Sequence, residues 1–151
     1  MASIRKMAIL ILAWFVLVLP ARLNAQGVSG QSLLEGLYQA FTRMAETGVD
    51  ATVKKLESLM TEATSAREAN TIDAAFFKRY HRVLLVVRLS LITDIPGILK
   101  PLVDREFGDF IKDMTGKTYD PEGGATKQIT QFSEAVDTEI MNLMAELRKK
   151  K

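Results

Sequence analysis

Residues 80–92, YHRVLLVVRLSLI, hold the one histidine of the chain and an arginine inside a long apolar run. On a helix His81 and Arg88, seven positions apart, fall within about 20° of each other and two turns apart along the axis. They share that stripe with Phe77 and with Leu84 or Leu85. The pair has two readings. One is a small pocket for an anionic or carboxylate ligand, with both side chains as polar anchors. The other is a structural ion pair with a hydrogen-bonded histidine beside it. A buried arginine must be paired, because an isolated charge in an apolar medium is very costly. Asp104, Glu106, Asp109 and Asp113 are the expected carboxylates. The structural reading is the stronger, since structural networks bury charges too.

Other motifs carry less. TGKT at residues 115–118 resembles the end of a phosphate-binding loop, but the glycine required five positions before Gly116 is Ile111, within an expected helix. Asp120 and Glu122 lack the ligand spacing of a calcium-binding EF-hand loop. With one histidine and no cysteine, a zinc site would need several carboxylates. A Ser-His-acid triad through His81 would lack the Gly-x-Ser-x-Gly elbow and would sit on a helix packed for burial. The segment FFKRYHR mixes aromatic and basic residues, yet Phe76 and Tyr80 share one face while Lys78, Arg79 and Arg82 project elsewhere. They do not form one stacking platform for nucleic acid. As a surface patch, Lys78, Arg79 and Arg82 suit peripheral contact with anionic headgroups. No catalytic group, cofactor or metal is expected.

The elements that would position these residues all read as helical. Ser32 and Glu35 have capping-box spacing, and Leu33, Leu34, Leu37, Tyr38, Phe41 and Met44 follow at helical intervals up to Gly48. A second helix starts near Asp50, with Val53, Leu56, Met60 and Ala63 inward and Lys54, Lys55, Glu57, Ser58 and Glu62 in water. Asn70 or Thr71 caps a third, about Thr71 to Ile92. Phe76, Tyr80, Val83, Leu84, Val87 and Leu91 form one broad apolar face along it, and in its first half Lys78, Arg79 and Arg82 take the opposite side. Its second half turns apolar nearly all round through Leu85, Val86 and Leu89, as a central buried helix does. Pro101 requires a break at Ile95 to Lys100. A fourth helix follows to Met114, with Leu102, Val103, Phe107, Phe110, Ile111 and Met114 inward. A loop at about 115–125 precedes the last helix, about Thr126 to Arg148, whose Ile129, Phe132, Val136, Ile140, Leu143 and Leu147 form a seam for packing. The expected fold is all-α, a compact bundle of four to five helices in a single domain over residues 26–151.

The N-terminus sets location. Arg5 and Lys6 precede an apolar stretch from Met7 to Leu19, and small residues end at Ala25. This is the layout of a secretory signal peptide over residues 1–25. Thirteen apolar residues fall short of the roughly 20 that a membrane-spanning helix needs. The alternative is an uncleaved anchor over residues 7–21. Cleavage removes three of the 20 basic residues (Arg5, Lys6, Arg22) and none of the 18 acids, so the mature chain carries a net charge of −1. A basic overall balance is therefore no argument for a nucleic-acid partner. The absence of cysteine excludes disulfides, thiol catalysis and iron–sulfur clusters. The expected function is that of an exported, periplasmic or secreted, non-enzymatic protein acting through protein contacts or self-association along the C-terminal helix. The alternative is a carrier for a small apolar or amphipathic ligand held between helices.

Overall fold

A computed structural model describes residues 28–92 and 94–150; residues 1–25, expected from their sequence to be a signal peptide, lie outside the described residues. Among those residues there are six helices and no strand. They are α1 (Gly30–Thr42), α2 (Met44–Thr47), α3 (Val49–Glu68), α4 (Ala74–Ser90), α5 (Lys100–Thr115) and α6 (Ala125–Lys149). The described residues divide into two compact units, the first ending at Leu91 and the second beginning at Ile92.

In the first unit, α3 packs on α1, α2 and α4, and α1 also meets α4. Leu33, Leu34, Leu37, Leu56, Leu59, Ala63, Phe76, Tyr80, Val83, Leu84 and Val87 are buried. Gly36 sets how closely α1 approaches α3, because a Cβ there would lie 2.7 Å from Leu59 Cδ2. Tyr80 ties α4 to α1: its hydroxyl donates to the Leu33 carbonyl at 2.7 Å. A buried hydroxyl needs such a partner.

Local chemistry moves several helix boundaries. The first helix starts earlier than Ser32 and Glu35 suggest. Ser29 is its N-cap and exchanges hydrogen bonds with Ser32 in a capping box, while Glu35 accepts from the Gln31 side chain one turn away. The expected single helix up to Gly48 is interrupted at Arg43. Just before it, Thr42 Oγ1 turns back onto the carbonyls of Tyr38 and Gln39, a bond that competes with the helical ladder and bends it. Gly48 ends α2 at φ 85° and ψ 166°, a backbone region open chiefly to glycine.

Asn70 and Thr71 terminate α3 instead of starting α4. The Thr71 N–H donates to the Ala66 carbonyl and the Asn70 N–H to that of Arg67, with Asn70 at φ 60°. This is the Schellman arrangement, where asparagine tolerates the left-handed region. The cap of α4 is Asp73, whose carboxylate accepts from the Phe76 N–H at 2.7 Å.

In the second unit, α5 packs against α6. Pro101 falls in the first turn of α5, where its missing N–H costs nothing. Gly116 closes α5 with φ 73°. Val103, Phe110, Ile111, Ala135, Val136, Ile140 and Leu143 are buried. Two residues expected inward are not: Leu102 is 50 % and Ile129 65 % exposed. Both lie in the first turns of their helices.

Candidate functional site

Arg88 is buried near the C-terminal end of α4. Its Nη2 donates to Glu57 Oε1 on α3 at 2.9 Å, and the two side chains are 6 % and 24 % exposed. Glu57 is not among the four carboxylates that the sequence brings to mind, and it was assigned to a solvated face. Its position allowed another reading. At four residues after Val53 it lies about 40° from that side chain, on the border of the apolar stripe. Burial pulls the Arg88 pKa down, and the Glu57 charge and hydrogen bond oppose that pull.

His81 is half-buried. Its ring packs against Phe77 one turn earlier, with centroids 6.1 Å apart and planes at 34°. Burial lowers its pKa below 6.5, so the neutral ring prevails at pH 7. The axial distance to Arg88 is about 10 Å at 1.5 Å per residue. The stripe therefore holds two separate features: an ion pair and a packed imidazole. Tyr80, one residue before His81 and on another face, has its pKa raised by burial and then by the Glu62 charge. The Lys78, Arg79 and Arg82 cluster is uneven. Lys78 is exposed, while Arg79 and Arg82 are half-buried and engaged in interactions of their own.

The second unit carries a more elaborate set of contacts at the loop between α5 and α6. TGKT marks the carbonyl end of α5, where Gly116 N donates to the Lys112 carbonyl. Anions are cradled at the opposite end of a helix. Beyond it, residues 117–123 lie along the first turns of α6. Lys117 Nζ meets both carboxylate oxygens of Glu134 at 3.1 and 3.2 Å. The Gln131 side chain donates to the Thr118 carbonyl and accepts from the Asp120 N–H. Gln128 donates to the carbonyls of Pro121 and Gly123, both at 2.8 Å. Asp120 Oδ2 meets Lys127 Nζ at 3.2 Å, and its Oδ1 accepts from the Glu122 N–H; the hydrogen bond from Lys127 lowers the Asp120 pKa.

The Tyr119 ring lies against Phe107 at 6.3 Å, and Phe107 meets Phe132 edge-on at 5.4 Å. Sequence reading saw only a solvated loop here. Glycine and proline density marks a turn but not the surface that the turn lies on. Among the described residues no group of three histidine or acidic side chains is placed to hold a metal ion. No helix among them is long and apolar enough to cross a membrane.

The chain matches no protein-family model, no curated protein and no solved structure. Arg88 meets a carboxylate of its own chain, which is what the structural reading of that residue requires. Large apolar side chains meanwhile stand in water at Ile98, Leu102, Ile129 and Met141.

Proposed function

We propose that the chain is exported and acts through contacts with other protein chains, copies of itself included. The observation that carries this reading is the pair Ile98 and Leu102, one in the turn that leads into α5 and the other in its first turn, 75 % and 50 % exposed. Single exposed apolar residues are ordinary on a protein surface. Neighbouring ones leave apolar area that a partner removes from water at about 25 cal/mol per Å². The C-terminal helix contributes differently from the seam read in its sequence. Val136, Ile140 and Leu143 are buried within the chain, while Ile129 and Met141 are its exposed apolar residues. Export rests on the order of charged, apolar and small residues over positions 1–25. Glu57 at Arg88 Nη2 takes up part of one of the two polar anchors that the carrier reading would use, the other being His81.

Sedimentation velocity of residues 26–151, with chemical crosslinking in the exported fraction, tests the proposal. Concentration-dependent association or one recurrent crosslinked partner is expected, and Ile98→Glu with Leu102→Glu should abolish it without changing helix content. A strict monomer that crosslinks to nothing would overturn it.

A further inference from the structure

Residues 117–120 run without regular structure into a turn in which the Gly123 N–H donates to the Asp120 carbonyl, and the contacts of 117–123 amount to the recognition of a peptide segment. Gln131 reads the main chain at two points, as donor to Thr118 and acceptor from Asp120, and Gln128 reads it at Pro121 and Gly123. Carboxamides that pair with backbone groups accept any side chain at those positions. Selectivity then comes from the side chains between. Tyr119 rests on the Phe107 ring, its Cβ above Gly108, where an added Cβ would make only ordinary contact at 3.8 Å. Asp120 meets Lys127, and Lys117 meets Glu134. The segment is also the part of this unit most easily released. Its ion pairs join side chains that are 42–60 % exposed, and such pairs hold weakly. Gly116 lies at one end, Gly123 and Gly124 at the other, so the backbone can turn at both.

We propose that the face formed by Phe107, Phe132, Gln128, Gln131, Lys127 and Glu134 is a binding site for a peptide that carries an aromatic residue followed by an acidic one and turns after the acid. The chain's own Lys117–Gly123 is its resident, displaceable occupant. The proposal rests on the reading of the protein as one that acts through protein contacts, and it names the site and the partner's chemistry. The resident segment states that chemistry: a basic residue, then an aromatic one two positions on, then an acid. A tethered occupant acts at an effective concentration in the millimolar range. Free peptide therefore cannot compete until the tethered contacts are weakened.

The test uses the chain with Tyr119→Ala and Asp120→Ala and a fluorescent peptide of sequence GKTYDPEGG, followed by anisotropy. Saturable binding is expected to this variant and not to the unaltered protein. Replacing the peptide tyrosine with alanine, or adding Gln128→Ala and Gln131→Ala to the protein, should weaken it on the order of tenfold or more, about 1.4 kcal/mol per tenfold. Absence of saturable binding, or binding indifferent to those changes, overturns the proposal. Should circular dichroism show the double variant unfolded, Asp120→Asn, which keeps the ring, decides by the same two outcomes. Failure here beside intact self-association or crosslinking would remove this site and leave the broader function standing.

Discussion

Arg88 shows how a single charged residue constrains its surroundings. Its ion pair with Glu57 joins a nearly inaccessible guanidinium to a carboxylate with one edge in water. Removing one partner of a fully buried pair costs roughly 3–5 kcal/mol. The partial exposure of Glu57 and the further interactions of Arg88 lower the expected cost of Glu57→Ala to about 2 kcal/mol. Urea denaturation should show this as a reduced midpoint with an unchanged slope. His81 yields a pH prediction. Its folded pKa is depressed by burial, so between that value and about 6.5 the unfolded chain binds more protons. Stability from this group is complete above pH 6.5 and is lost as pH falls through the window. His81→Gln should flatten the stability profile between pH 7 and 5, while titration of the carboxylates below that range remains. A profile unchanged by the substitution would show that the ring is solvated in the folded chain. That His81 and Arg88 share a stripe was legible from their spacing. The carboxylate partner was not, because a helical wheel orders the residues of one helix and is silent about which neighbour brings its border residue close.

The helices formed largely where apolar spacing and the breakers Gly48, Pro101 and Gly116 placed them. Their ends moved by one to three residues, for local reasons. Ser29, Asp73 and Asn70 all had competitors of similar chemistry close by, and a cap is chosen by which side chain reaches an orphan N–H once the turn is formed. The contact between α1 and α3 carries a sharper prediction. Gly36→Ala improves helix propensity by about 1 kcal/mol. Its Cβ, however, would stand 2.7 Å from Leu59 Cδ2, on a side chain that is itself buried. Overpacking of this kind costs about 1–3 kcal/mol. A net loss of about 1 kcal/mol is expected for Gly36→Ala, from the difference of those two effects. Combined with Leu59→Ala, the double variant should be more stable than the sum of the single losses, because the new methyl fills part of the vacated space. Additive losses in thermal denaturation would show that the helices separate instead of competing for one volume. The loop at 116–124 belongs to the same scale. Its glycines and proline announced a turn, while Gln128 and Gln131 gave no sign that they would bind its backbone. Glutamine on a helix is usually solvated, and only the return of the chain along α6 makes it a partner.

At the scale of the whole molecule, the described residues form two compact units, and the sequence of residues 1–25 has the layout of a secretory signal. If that segment is removed as its small-residue boundary implies, N-terminal sequencing of the exported product will begin at Gln26. A product that starts at Met1 and stays with the membrane fraction would favour the uncleaved anchor. The mature chain would then lack Arg5, Lys6 and Arg22, and its net charge of −1 sets its electrostatic behaviour in place of the precursor's basic balance. The sequence by itself determined the all-helical class, the absence of thiol chemistry and most helix positions. These depend on residue type and on a period within one segment, which a linear chain displays in full. Tertiary structure decided that Glu57 meets Arg88, that Leu102 and Ile129 face water, and that residues 117–123 lie along α6. Each of those is a contact, or a missing contact, between one element and another. Periodicity identifies which side of a helix is apolar; whether a neighbour covers that side at every turn depends on where the other helices start and stop.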